Sequence, residues 1–163
     1  MLKNMLKNVT KMLLLLLCSS LFFSTARAES IPYLATFYKA EIENQLPPNL
    51  LVEVARQESS FRKDVISCKV KSSKGAEGIM QIIPQQHPGI NPCRPKEAIM
   101  YAGRYLRSLY NSTHSWPKAL AAYNWGLSKV KRNKQLPQQV RDYVDSIITR
   151  VLDYKIIYGV LEK

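Results

Sequence analysis

The stretch 50–61 constrains the fold more than any other part of the chain, because it places a carboxylate on the apolar side of a helix. Leu51, Val54 and Ala55 stand seven, four and three residues before Glu58, and all three are apolar. Burial at such a position disfavours the charged form and raises the pKa of Glu58 towards neutrality. A carboxylic acid that keeps its proton near neutral pH can act as a general acid.

The same glutamate also fits a simpler interpretation, in which it stands at a helix end and pairs with Arg56 or Arg62. The segment alone leaves both interpretations open.

Helical periodicity recurs along the rest of the chain, whereas strand signals are scarce. We expect a polar loop with room for a short hairpin over 62–76, and an irregular proline-rich stretch over 88–95. Long ordered loops of this kind tend to line clefts. The predicted fold is a single all-α domain with helices over 31–43, from Pro48 through Glu58, over 78–83, from Pro95 to Tyr110, from Pro117 to Gly126, and from Pro137 to Tyr154.

Residues 1–28 are typical of a secretory signal peptide, which leaves 29–163 as the folded domain. Three lysines open the segment, an apolar core runs over 12–23, and Ala26-Arg27-Ala28 is a small-x-small cleavage signal. The apolar part is too short and too interrupted to favour a permanent membrane span. We therefore expect cleavage after Ala28 and export to the periplasm or the extracellular space.

The charge balance indicates an anionic partner. The formal net charge of +12 falls to +8 when the four basic residues of 1–28 are removed. An exported protein this basic meets nucleic acid, an anionic membrane surface or carboxylate-bearing cell wall, although a merely soluble surface explains the charge equally well. Nucleic-acid readers interleave aromatic and basic residues on one face. Here most tyrosines and both tryptophans fall in or beside predicted helices, so no nucleic-acid partner is expected.

Two cysteines, Cys68 and Cys93, remain after cleavage. In an oxidising compartment, a pair without a third partner predicts a disulfide, worth about 3–4 kcal/mol for a loop of this length. His87 and His114 do not stand at ligand spacing from the two cysteines. No metal and no cofactor are therefore expected.

Four short motifs then follow in an order that resembles the lytic transglycosylases of the soluble-transglycosylase (SLT) type, relatives of goose-type lysozyme. Each motif is short, and their order and spacing over about 45–150 carry the resemblance. The motifs are Glu58-Ser59-x-Phe61, Gly75-Ala76-x-Gly78-x-Met80-Gln81, Ala121-Ala122-Tyr123-Asn124-x-Gly126 and Arg141-x-Tyr143-Val144.

The resemblance implies a helical, lysozyme-like lobe whose cleft binds a peptidoglycan glycan strand. It makes Glu58 the catalytic residue, which cleaves the β-1,4 bond between N-acetylmuramic acid and N-acetylglucosamine and leaves a 1,6-anhydromuramoyl end. The usual retaining pair needs a second carboxylate; this mechanism needs none, because the acetamido group of the substrate stabilises the cationic centre. Two alternatives stay open: a lysozyme-type muramidase, in which water attacks, and a non-catalytic secreted module that binds cell wall.

Supporting roles also follow from the resemblance. Tyr123 is expected to hydrogen-bond the carboxyl of Glu58. Ser67 is expected to orient the acid, with Ser72 as a competing serine because extra residues separate Ser67 from Gly75. Gln139 replaces a glutamate that many relatives carry, and Met80 fits the core as well as the cleft wall. The positions assigned to substrate binding are Gly78, Met80, Gln81, Asn124 and Gln139. We expect a monomer, with envelope machinery as a further candidate partner.

Overall fold

The structure, a computed structural model, describes residues 30–133 and 135–157, with side chains as far as Asp153. The predicted signal peptide lies outside the described residues. Within them, one isolated β-bridge joins Glu77 to Ile82 and no longer strand forms, so the expected all-α class is confirmed. The helices are α1 (Leu34–Glu43), α2 (Leu50–Ser59), α3 (Lys63–Ile66), α4 (Pro95–Thr113), α5 (Trp116–Trp125), α6 (Leu127–Arg132) and α7 (Gln138–Ile157).

Prolines and caps define the later helices much as predicted. Pro95 opens α4, and Pro117 lies in the first turn of α5, where a missing N–H costs nothing. The hydroxyl of Ser115 caps α5 by accepting from the amide of Lys118. Gly126, at φ 99°, ends α5, and the short α6 follows directly, where no separate helix was predicted.

The start of α2 is fixed by a buried carboxylate of α1. Glu41 accepts the backbone N–H groups of Asn49 at 3.0 Å, Leu51 at 2.8 Å and Val52 at 3.4 Å. Burial raises the pKa of Glu41, and these hydrogen bonds partly oppose the rise. The helix therefore begins at Leu50 rather than at Pro48, and α1 begins at Leu34 rather than at residue 31.

The predicted helix over 78–83 is wrong. Glu77 and Ile82 exchange two backbone hydrogen bonds of 3.0 Å, and the residues between them form a tight turn. Gly78 (φ 73°) and Gln81 (φ 47°) adopt left-handed conformations that a right-handed helix does not allow. The hairpin-like element thus lies at 77–82, while the stretch 62–76 holds α3 and turns.

The core brings α2 and α7 together. Residues 50–55 of α2 are all buried, and α2 packs against α7 as well as α1 and α4. On α5, residues 119–122 are completely buried, and three of the four are alanines, which permit close contact with α4 and α7. This packing sets the last turn of α2 beside the first half of α7.

A disulfide joins Cys68 to Cys93, whose Cα atoms lie 5.6 Å apart, so the predicted pairing is confirmed. It ties the chain after α3 to the residues before α4. Among the described helices, none combines the length and apolar character needed to cross a membrane.

Candidate functional site

Glu58 lies in the last turn of α2, at the end of a completely buried stripe formed by Leu51, Val54 and Ala55. Its side chain is partly buried, and this burial raises the pKa of Glu58 from 4.5 to about 7. Neither nearby arginine neutralises it. Arg56 pairs with Glu53, and Arg62 pairs with Asp64. The simpler interpretation of a helix-end ion pair is therefore wrong.

A phenol from the far end of the sequence reaches this acid. Tyr143 of α7 donates a hydrogen bond of 2.7 Å from its hydroxyl to Oε1 of Glu58. This bond favours the ionised carboxylate and so partly opposes the effect of burial on the pKa of Glu58. Burial and the charge of Glu58 raise the pKa of Tyr143 well above its ordinary value. Tyr143 thus stays a neutral donor, and it was missed although its motif had been recognised.

Tyr123 has a different hydrogen-bond partner from the one expected. Its hydroxyl donates to the carbonyl oxygen of Met80 at 2.9 Å, within the tight turn, rather than to Glu58. The Met80 carbonyl lies in a turn, where no helical N–H donates to it. The Tyr123 hydroxyl therefore satisfies this acceptor. Burial and then the charge of Glu58 raise the pKa of Tyr123 well above its usual value, which keeps the phenol a neutral donor.

Neither candidate serine hydrogen-bonds the acid. Ser67 is exposed, and its hydroxyl donates to the carbonyl of Asp64 at 3.3 Å. The hydroxyl of Ser72 accepts from the amide of Ala76 at 2.9 Å. Both serines stabilise local turns in the polar segment before the tight turn.

Three of the predicted substrate positions belong to the tight turn. Met80 is completely buried, so its side chain is part of the core and not of a cleft wall. Gly78 approaches the chain itself, because a Cβ there would lie 2.1 Å from the carbonyl oxygen of Pro92. Gln81 is partly buried, and its amide donates to the carbonyl of Gly78 at 3.0 Å.

The other two predicted substrate positions are exposed. Asn124 follows Tyr123 in the last turn of α5. Gln139 stands four residues before Tyr143 on α7 and therefore on the same side of that helix. Both amides are accessible to a ligand.

A row of aromatic rings continues outward from Tyr123. Its ring lies 5.8 Å from that of Tyr105, which lies 6.1 Å from that of Tyr101. His87 contacts both outer rings, and its Nδ1 lies 2.7 Å from the Tyr101 hydroxyl. Burial lowers the pKa of His87, which keeps the imidazole neutral at neutral pH. The row offers apolar rings and hydroxyl groups along one surface.

The two cysteines and the carboxylates of Glu77 and Glu97 are engaged in other contacts. Within the described residues, Cys68, Glu77 and Cys93 form the one close group of potential metal ligands, with their ligand atoms within 4.8 Å of one another. The disulfide consumes both thiols, and Glu77 pairs with Lys71 at 2.8 Å. Glu97 likewise pairs with Arg94.

Fold and site together define an all-helical domain in which the partly buried Glu58 and Tyr143 join the end of α2 to α7. Residues 35–145 match the family described as "Transglycosylase SLT domain". Since this match covers more than half of the sequence, the chain belongs to the transglycosylase SLT domain family.

A solved structure supports the fold assignment. The X-ray structure of an inactive mutant of the lytic transglycosylase Slt from Pseudomonas aeruginosa superposes with a TM-score of 0.66, at 20% identity over 81% of this chain. This confirms the lysozyme-like helical fold. The chain spans 25% of the length of that protein. Among curated proteins, none is significantly similar in sequence.

Proposed function

We propose that the protein is a peptidoglycan lytic transglycosylase in which Glu58 acts first as general acid and then as general base. The observation that carries the proposal is the Glu58 carboxyl, whose pKa is raised to about 7 and which accepts the Tyr143 bond at 2.7 Å. Membership of the SLT family supports it. So does the inactive mutant of the Pseudomonas enzyme, in which a glutamate is replaced by glutamine.

The reaction begins with protonated Glu58. Its proton passes to the glycosidic oxygen as the bond from C1 of N-acetylmuramic acid breaks, and the acetamido group stabilises the positive charge at C1. The Tyr143 hydroxyl strengthens its hydrogen bond as the carboxylate forms, because hydrogen bonds to charged acceptors are stronger. The phenol thus stabilises the state that follows the first proton transfer.

In the second half, ionised Glu58 accepts the proton of the muramoyl 6-hydroxyl while the 6-oxygen bonds to C1. The product is a 1,6-anhydro ring, no water is consumed, and Glu58 regains its proton. Intramolecular attack benefits from a high effective concentration of the 6-hydroxyl. One carboxylate therefore suffices, in contrast to the pairs of conventional retaining enzymes.

The proposal extends to substrate contacts and location. Gln81, Asn124 and Gln139 would hydrogen-bond the glycan. Gln81 lies in the turn that Tyr123 contacts, Asn124 follows Tyr123 on α5, and Gln139 stands one helical turn before Tyr143 on α7. The orienting role expected of Ser67 has no support in its hydrogen bonds. We further propose that residues 1–28 are removed and that the enzyme is exported to the peptidoglycan. There it would act as a monomer.

Mass analysis of soluble products from intact cell wall tests this function. Anhydro products, one water lighter than hydrolysed ones, are expected from the wild type, and Glu58→Gln should lower the rate by about 10²–10⁴-fold. Hydrated products that still depend on Glu58 would identify a muramidase. Binding to wall without release of fragments would identify a non-catalytic module.

A further inference from the structure

A cluster of polar side chains joins α2 to α7 next to the acid, and sequence analysis gave it no role. Arg150 of α7 donates from Nε to Oε2 of Glu53 at 2.6 Å and from Nη2 to Oε1 of Gln57 at 2.9 Å. It also donates from Nη1 to the hydroxyl of Ser146 at 2.6 Å, and that hydroxyl donates to Gln57. We call Glu53, Gln57, Ser146 and Arg150 the interhelical bridge.

The bridge contains a buried negative charge. Glu53 is 1% exposed, and two cations pair with it: Arg150 at 2.6 Å and Arg56 at 3.1 Å. Arg56 stands on the same helix, three residues along, and so does not join two elements. Arg150 brings its guanidinium from 97 residues away in the sequence. Of these two cations, Arg150 is the one that holds α7 against α2.

The bridge shares a face of α7 with Tyr143 and lies on the face of α2 next to that of Glu58. Gln57 directly precedes Glu58 on α2. Arg150 stands seven residues after Tyr143 on α7, which places both side chains on the same side of that helix. A change in the spacing or rotation of the two helices at the bridge would therefore move the Tyr143 hydroxyl relative to Glu58.

We propose that Arg150 is a positioning residue, which holds Glu53 and Gln57 of α2 so that the Tyr143 hydroxyl stays within hydrogen-bond distance of Glu58. The proposal rests on the proposed function, since it assigns Arg150 an effect through the acid and the phenol. An arginine suits this role because its planar guanidinium donates to several acceptors at once, which a lysine does not.

Loss of the bridge has a defined electrostatic direction. A weaker Tyr143 bond favours the protonated carboxyl and raises the pKa of Glu58. Besides Tyr143, the titratable group that faces the acid is Tyr123 of α5, with Tyr105 and Tyr101 of α4 beyond it. The charged groups of the bridge region are Arg150 on α7 and Glu53 and Arg56 on α2.

The experiment compares Arg150→Gln with Arg56→Gln, because each removes one cation from the same Glu53 carboxylate. For Arg150→Gln we expect kcat to fall about 10- to 100-fold with KM nearly unchanged, and the alkaline limb of the kcat profile to move to higher pH. Arg56→Gln should keep the wild-type profile. Arg150→Lys retains the positive charge without the planar guanidinium and its several donors, so it should resemble Arg150→Gln.

Arg150→Gln leaves the buried charge of Glu53 short of one partner, which could destabilise the fold. The double variant Glu53→Gln/Arg150→Met avoids this, because it removes the buried charge together with its partner. It should show the same loss of kcat as Arg150→Gln. Wild-type kinetics in the folded Arg150 variants would overturn the proposal. So would equal effects of Arg56→Gln and Arg150→Gln, since the cause would then be the charge on Glu53.

A titration of the Glu58 carboxyl by carbon NMR, assigned with Glu58→Gln, separates this proposal from the proposed function. A higher pKa of Glu58 in Arg150→Gln supports the positioning role even if the wild type releases no anhydro products. An unchanged titration in that variant rejects the role even if the enzyme is active.

Discussion

Burial and the Tyr143 hydroxyl act on Glu58 in opposite directions, and their balance sets the pH range in which the acid holds its proton. Tyr143→Phe removes the donor and leaves burial unopposed, so the pKa of Glu58 should rise above its value of about 7. The alkaline limb of the kcat profile should then move to higher pH, while kcat falls because the ionised intermediate loses its hydrogen bond. Rate measurements between about pH 5 and pH 9 follow both effects.

Tyr123→Phe is the matched control for Tyr143→Phe, because each change removes one buried phenol hydroxyl. The Tyr123 hydroxyl donates to the Met80 carbonyl, so its loss should lower stability by about 1–3 kcal/mol and leave the alkaline limb in place. If Tyr143→Phe leaves the limb unmoved, the 2.7 Å hydrogen bond does not govern the titration of Glu58.

The raised pKa of Glu58 also makes folding depend on pH. The folded state keeps this proton up to about pH 7, whereas the unfolded chain releases it near 4.5. Stability is therefore complete below the unfolded pKa and falls as pH rises through the folded pKa. Glu58→Gln abolishes this loss. As the pH rises from about 4 to about 8, the free energy of unfolding of this variant should therefore increase relative to that of the wild type by up to about 3 kcal/mol. Denaturant unfolding at both pH values measures the gain, and a constant difference would contradict the raised pKa.

At the scale of residues, the sequence predicted the burial of Glu58 but not its hydrogen-bond partner. The apolar stripe before Glu58 lies within one helix, so local spacing was enough to predict a buried carboxylate. The Tyr143 contact joins residues 85 apart and depends on how α2 meets α7. No local sequence pattern specifies how these two helices pack. The sequence therefore favoured Tyr123, the motif tyrosine nearer to Glu58 in the chain, as its hydrogen-bond partner.

Among the elements, the tight turn at 77–82 depends most on a single residue. Gly78 has φ 73°, and an added Cβ would meet the Pro92 carbonyl oxygen at 2.1 Å. Gly89, at φ 87°, has nothing within 4 Å of such a Cβ. Gly89→Ala should therefore cost about 1–2 kcal/mol for the left-handed backbone alone. Gly78→Ala should cost about 1–3 kcal/mol more because of the clash with backbone.

Thermal or denaturant unfolding of the two alanine variants gives this comparison directly. Gly78→Ala should also weaken the Tyr123–Met80 contact, since the turn that presents the carbonyl must shift. Equal losses of stability in the two variants would mean that the approach to Pro92 imposes no constraint.

The helices that the sequence predicted well are those bounded by a proline or a glycine. Pro95, Pro117 and Gly126 mark helix ends through missing donors and positive φ, and the structure follows them. The run from Gly78 to Ile83 was misassigned because a short apolar stretch does not distinguish a buried turn from a helix. There the two left-handed residues decide the conformation, and one of them, Gln81, is not a glycine.

For the whole molecule, helical periodicity was enough to predict the all-α class, because each amphipathic segment must bury its stripe against another. The arrangement of the helices was not predictable in the same way. Contacts such as Arg150 with Glu53, and Arg107 with the carbonyl of Asn44, join distant segments through side chains that look like ordinary surface charges in the sequence. The resemblance to a known family supplied the lysozyme-like arrangement instead.

The segment between α3 and α4 has little regular structure, so the stability of the whole molecule should depend on the disulfide that closes this segment. The Cys68–Cys93 disulfide closes this segment onto the start of α4. Replacing both cysteines by alanine should lower the free energy of unfolding by about 3–4 kcal/mol, because the unfolded chain regains the entropy of the open loop. Denaturant unfolding of protein purified under oxidising conditions measures the loss, with reduced wild type as the control that should match the double variant.

Activity should respond less than stability to the loss of this disulfide. Glu58 and Tyr143 lie on α2 and α7, outside the closed loop, so kcat should stay within about 10-fold of wild type below the melting temperature. Gln81 and the Met80 carbonyl lie inside the loop, so KM for the glycan should rise. Thiol counting on unfolded, non-reduced protein prepared under oxidising conditions provides the direct check: two free thiols in the chain from residue 29 onward would show that the disulfide does not form.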